Sequence, residues 1–167
     1  MKLVALMKKK LSMIFIVLLF SIGLFLVCLN PLQSYLIQKF SEDLLDVSAE
    51  DMDRNDASDA NFDFNEAATL SVFDVINAQL NRKDVYALGT IVIPKVGMQL
   101  PIVKGVGKSA LSVGAGTMKP DQKMGEGNYA LAGHYFENKN DLLFSPLYFT
   151  EIGDIVYITN KKEVYAY

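Results

Sequence analysis

The sequence has no tryptophan, one cysteine and one histidine among its 167 residues. A single cysteine excludes any disulfide framework within the chain, and one Cys with one His cannot assemble a zinc cluster. No metal or other cofactor site is expected, so packing must stabilise whatever folds. Also missing is a basic stripe interleaved with aromatics, which argues against a nucleic-acid partner. The net charge of -3 is unevenly spread, because Ser41 to Glu66 carries ten Asp or Glu against the single Arg54. A chain this long has room for one folded domain of ordinary size once a membrane segment and a spacer are subtracted.

What the sequence does have is a long charge-free run, LSMIFIVLLFSIGLFLVCL, from Leu11 to Leu29. At about 1.5 Å per residue it spans roughly 29 Å, close to the hydrocarbon thickness of a bilayer. Lys2, Lys8, Lys9 and Lys10 precede it and acidic residues follow, so the positive-inside rule puts the N-terminus in the cytoplasm and the remainder outside. A cleaved signal peptide is the rival reading. The run is longer than a usual h-region, however, and no A-x-A site follows it in NPLQSYL, which favours an uncleaved single-pass anchor in the cell membrane. The expected organisation is a basic cytoplasmic segment over 1–10, a transmembrane anchor over 11–29, a juxtamembrane helix and acidic spacer over 30–66, and an external domain over 67–167.

Asn30 and Pro31 read as an N-cap and first-turn pair, and Leu32, Tyr35, Leu36 and Phe40 recur at helical spacing, predicting a short juxtamembrane helix. The acidic run that follows is poor in large apolar side chains, as expected of a solvated, partly disordered spacer. Ala67 to Arg82 then sets Leu70, Phe73, Val75, Ile76 and Leu80 on approximately one helical face, predicting an amphipathic helix packed on the domain. After Lys83 the period changes to short β-branched or aromatic runs, LGTIVIP, QLPIVKG, NYALAGH, DIVYIT and EVYAY, separated by turn residues. This pattern predicts a mainly β domain, a sandwich or barrel. The last run alternates and stops, leaving an edge that a β domain would seldom expose, so the C-terminus reads as an interruption.

Three patterns invite a site and fail. DMDRND, Asp51 to Asp56, begins like a calcium loop, but Asp56 stands where the turn needs Gly and Phe62 where the bidentate Glu belongs. GVGKS, Gly105 to Ser109, resembles the end of a phosphate-binding loop, yet Ile102 stands at its first glycine and no helix former follows. Read as GVGKSA it fits the short dinucleotide pattern, without a crossover helix to follow. Both are Gly-rich turns. His134, in GNYALAGHYF, ends an apolar run on the one side chain that titrates near neutral pH; taken alone, it reads as a hydrogen-bonded structural residue more readily than as a catalyst.

Its surroundings change that reading. GAGTM (Gly114 to Met118), Gln122, MGEGNYALAGH (Met124 to His134) and LLFSPL (Leu142 to Leu147) together resemble class A sortases of Gram-positive bacteria. LGTIVIPKVGMQLPIVKGV (Leu88 to Val106) and GDIVYIT (Gly153 to Thr159) fit the same family, and the resemblance covers roughly Phe62 to Tyr167. It implies a membrane-anchored extracytoplasmic cysteine transpeptidase on a β-barrel. Such enzymes cut surface proteins at L-P-x-T-G sorting signals between Thr and Gly and pass the thioester-held product to the amine of a lipid-linked cell-wall precursor. The resemblance makes His134 the acid that protonates the departing amine and later the base for the incoming one. It also sets Leu131 and Ala132 on a strand in the floor of the substrate groove; packing against a neighbouring strand explains the alanine equally well.

The sequence departs from the family in one respect. The nucleophilic cysteine of a sortase lies in a later T-L-x-T-C segment and the essential arginine on a strand after that, whereas here no Cys follows Cys28 and no Arg follows Arg82. Cys28 lies in the apolar run, where hydrocarbon disfavours a thiolate. An incomplete barrel is therefore expected, with open edges, poor folding and no transpeptidase activity for these 167 residues. The alternative is a non-catalytic membrane-anchored fragment that acts at most as a binding module.

Overall fold

The computed structural model describes residues 2–64, 70–81 and 84–167. A single helix, α1 (Lys2–Leu45), runs through the apolar segment and on into the folded domain. Its N-terminal part is long and apolar enough to cross a membrane and is exposed from Leu11 to Cys28. The expected helix start at Asn30 is not seen, and Pro31 lies inside α1. Proline's fixed φ is itself helical, so the local cost is one missing N–H bond and ring crowding. Packing of the following turns outweighs that cost: Ile37 and Phe40 are fully buried and Leu44 nearly so. Each such side chain contributes roughly 1.5–3 kcal/mol when removed from water.

The acidic segment also departs from the solvated spacer expected. Ser48 caps α2 (Ala49–Asp56), its Oγ accepting from the Asp51 N–H at 3.1 Å, and Met52 is buried. The Asn55 side chain donates to the Ala87 carbonyl at 2.9 Å, Asp53 pairs with Lys162, and Asp56 meets Lys104 through its backbone carbonyl. Lysines distant in sequence thus offset part of the negative charge, which composition alone could not reveal.

Helix α3 (Val72–Leu80) begins in a reciprocal capping box between Ser71 and Asp74. The expected ends of this helix at Ala67 and Arg82 lie outside the described residues. Its buried side chains are Val75 and Ala78, whereas Phe73 and Leu80 are 74% and 76% exposed. Only Val75 of the expected apolar stripe is fully inside, because α3 packs on α1 and on α4 (Lys108–Leu111) through its small-residue side. A helical turn therefore does follow the Gly105–Gly107 stretch, although it is a single turn.

The domain is built on one mixed sheet in the order β4-β3-β2-β1-β5-β6. Its strands are β1 (Ala87–Ile93), β2 (Met98–Val103), β3 (Ala115–Thr117), β4 (Leu131–Ala132), β5 (Tyr157–Thr159) and β6 (Val164–Ala166). β1 and β2 form an antiparallel hairpin across the turn Pro94–Gly97, where Gly97 adopts φ 64°, a conformation costly for residues with a Cβ. β3 joins β2 in parallel, and every other pairing is antiparallel. The sheet is not closed, and β3, in GAGTM, is a strand the period-two pattern did not reveal. One apolar cluster sets Ile37 and Val75 against Ile91, Ile93, Leu100 and Ile102. A second sets Phe40, Leu44 and Ala78 against Val85, Ala87 and Val103. Helices α1 and α3 thus form the second layer of the core.

Candidate active site at the edge strand

His134 lies two residues beyond β4, at one edge of the sheet. β4 pairs with β3 through Ala132 opposite Gly116 and Leu131 opposite Thr117, and both Leu131 and Ala132 are half-buried. The strand is pinned at its entry because the Ala130 carbonyl accepts from the Met118 N–H at 3.1 Å and from Gln122 Nε2 at 2.8 Å. Thr117, facing Leu131, is buried and its Oγ1 accepts from the Gly105 N–H at 2.9 Å. The three residues nominated for the site are therefore brought together on one short, anchored segment.

The exit from β4 is clamped by the LLFSPL segment. The His134 carbonyl accepts from the Phe144 N–H at 3.0 Å, and the Phe136 N–H donates to buried Ser145 Oγ at 2.9 Å. The Phe144 ring lies directly over Gly133: a Cβ at that position would fall 2.7 Å from its Cδ2. Gly133 is thus glycine because a ring occupies the space of a side chain, which gives AGH and LLFSPL a common physical reason to occur together. Sequence reasoning noticed both motifs but missed the positioning roles of Phe144 and Ser145. The usable signal was a glycine between a strand and a titratable residue.

The His134 imidazole is partly buried, and that burial lowers its pKa below the ordinary histidine value. The Asp74 carboxylate opposes the shift in part. Asp74 is itself held ionised below the usual carboxylate range, first by the Ser71 hydroxyl and then by the Ser71 N–H, at 2.6 and 2.9 Å. The ring is thereby biased toward its neutral form, able to accept a proton and return it. Phe136 flanks it with ring centroids 6.4 Å apart. Cys28 is exposed on the apolar part of α1. A cleft of about 430 Å³ lined by Met52, Gln122, Met124, Tyr129 and Tyr165 does not include His134. Burial raises the Tyr129 phenol pKa, so that residue stays un-ionised.

A family profile described as the sortase domain matches residues 91–167. Sortase A of Streptococcus agalactiae is 38% identical over 158 residues, covering 91% of this chain and 64% of that protein. Sortase A of Listeria monocytogenes is 32% identical over 163 residues, covering 96% of this chain and 71% of that protein. This chain belongs to the sortase family. Both relatives are named sortase A, which puts it in class A of that family. The crystal structure of Listeria monocytogenes sortase A is similar over 48% of this chain and 55% of that one, at 40% identity and a TM-score of 0.47. The present sortase chain spans about two-thirds of the length of the Streptococcus agalactiae relative.

Proposed function

We propose that the chain serves class A sortase chemistry: cleavage of L-P-x-T-G sorting signals between Thr and Gly, followed by transfer of the surface protein to the amine of a lipid-linked cell-wall precursor. The observation that carries this reading is a half-buried, neutral-biased His134 held at the sheet edge by a clamp between the AGH and LLFSPL motifs. His134 protonates the departing glycine amine and then takes the proton of the incoming amine. Leu131 and Ala132 form part of the floor on which the sorting peptide lies. The 11–29 segment holds the domain on the outer face of the cell membrane, with the N-terminus in the cytoplasm.

The same chemistry also needs a thiolate nucleophile and an oxyanion-stabilising cation. Cys28 is the sole cysteine and lies in the apolar run, where a thiolate is disfavoured. The 167-residue chain by itself is therefore inactive. The test pairs two samples, the 167-residue chain and native membranes, each given an L-P-x-T-G peptide and a nucleophilic amine. The chain alone is expected to gain no thioester mass, and the native membranes are expected to lose turnover on His134→Ala. A thioester on the chain alone overturns the inactivity, and native turnover indifferent to His134→Ala overturns the catalytic reading.

A further inference from the structure

The continuity of α1 fixes the height of the domain above the bilayer. Three contacts tie the first turns after Leu29 to the folded unit: Lys139 Nζ donates to the Asn30 carbonyl at 3.4 Å, Gln33 Nε2 to the Leu70 carbonyl at 3.2 Å, and Gln38 Nε2 to Asp141 Oδ2 at 3.3 Å. Helix α3 runs alongside α1 in the same direction, since Leu70 meets Gln33, Val75 clusters with Ile37, and Ala78 with Phe40 and Leu44. Its first turn is therefore its membrane-proximal turn.

Large apolar side chains are exposed at this height. Leu32 and Tyr35 are 42% and 63% exposed, on the side of α1 away from buried Gln33 and Ile37, and Phe73 is 74% exposed on the first turn of α3. At 1.5 Å per residue, the Leu32 backbone lies about 4.5 Å beyond Leu29 along the helix axis and that of Tyr35 about 9 Å beyond it, and because helix side chains tilt back toward the N-terminus the Tyr35 ring reaches down into the same layer. The polar interfacial layer of a bilayer adds roughly 5–8 Å on each side of the hydrocarbon. Tyrosine is enriched in that layer because its ring is apolar at one end and wet at the other. Lys139, over the Phe136 ring at 5.3 Å and reaching Asn30, puts a cation at the same boundary. Anionic headgroups complement that charge.

We propose that the membrane-proximal end of the domain is seated in the bilayer interface, with Leu32, Tyr35 and Phe73 among the lipid headgroups and Lys139 facing their phosphates. The proposal rests on the 11–29 segment being a membrane anchor. It gives the active-site edge a set height above the membrane, instead of leaving it on a free tether.

The absence of native tryptophan makes a direct test possible. Phe20→Trp, Tyr35→Trp, Phe73→Trp and Leu80→Trp are each introduced alone into the full chain. Each is reconstituted in mixed phosphatidylcholine and phosphatidylglycerol vesicles carrying doxyl lipids labelled at shallow or deep positions. Tyr35→Trp and Phe73→Trp are expected to be quenched more by the shallow label, Phe20→Trp more by the deep one. Leu80→Trp, about 10 Å further out along α3, is expected to escape both. Quenching at Phe20→Trp without quenching at Tyr35→Trp and Phe73→Trp overturns the seating and leaves the anchor intact. No quenching at Phe20→Trp overturns the anchor and the seating together. A blue-shifted, unquenched Phe73→Trp signal also overturns the seating, in favour of contact between two copies of the chain.

Discussion

Phe40→Ala tests whether the extension of α1 is part of the domain or a tether to it. Phe40 is fully buried between α3 and the β1–β2 end of the sheet, beside Leu44, Ala78, Val85 and Val103. Truncating a buried Phe to Ala costs about 3–5 kcal/mol, the spread depending on how far the site collapses. Helix α1 is braced on its neighbours by the Ser41 Oγ to Val113 carbonyl hydrogen bond, which limits that collapse and favours the upper half of the range. Against a total stability of about 5–15 kcal/mol this is a large fraction. At roughly 3 °C per kcal/mol for a unit of this size, the midpoint falls by about 12 °C. The control is the preceding residue: Lys39 faces solvent and pairs with Asp43 at 3.2 Å, so Lys39→Ala should leave the transition nearly where it was. The assay is thermal unfolding of the full chain in non-ionic micelles, followed by tyrosine near-UV circular dichroism. Equal midpoints for Phe40→Ala and Lys39→Ala would refute the docked-helix reasoning, because a solvated tether cannot distinguish its two faces.

The single histidine gives one imidazole resonance, which should titrate below the ordinary value of 6.5, and Asp74→Asn should move it lower still by removing the opposing carboxylate. Because the folded pKa is depressed, the stability contributed by neutral His134 is complete above the unfolded pKa and is lost as pH falls through the folded value. His134→Gln should flatten that part of the stability profile, and an unchanged acid limb contradicts the assignment. Gly133→Ala should cost about 1–3 kcal/mol by forcing a Cβ against the Phe144 ring. In a Phe144→Ala background the added cost should shrink by at least about 0.5 kcal/mol, so additive losses in a double-mutant cycle would rule out the clamp. Ser145→Ala leaves the Phe136 N–H without its acceptor and should cost about 1–3 kcal/mol in urea unfolding, whereas Ser145→Thr, which retains the hydroxyl, should recover part of the loss.

The candidate residues Leu131, Ala132 and His134 were legible as a group in one dimension, since they are near neighbours in sequence and lie on one segment at the sheet edge. Their supports were not. Asp74 lies sixty residues upstream of His134 and Phe144 ten residues downstream, and no local period carries contacts across such separations. The short strand β3 was missed because Gly and Ala lack the β-branched signature, and its place in the sheet comes from parallel pairing with β2.

The sequence by itself determined the membrane-length apolar run, the change from helical to period-two patterning after Lys83, and the sortase motifs around His134, because these depend on local chemistry or a contiguous order of residues. Only the tertiary structure decided that α1 continues past Pro31, that the acidic segment folds onto the sheet, and which face of α3 is inside. In each case the deciding energy comes from surface buried against residues far away in the chain, and neither hydrophobic period nor net charge encodes where that partner surface will be.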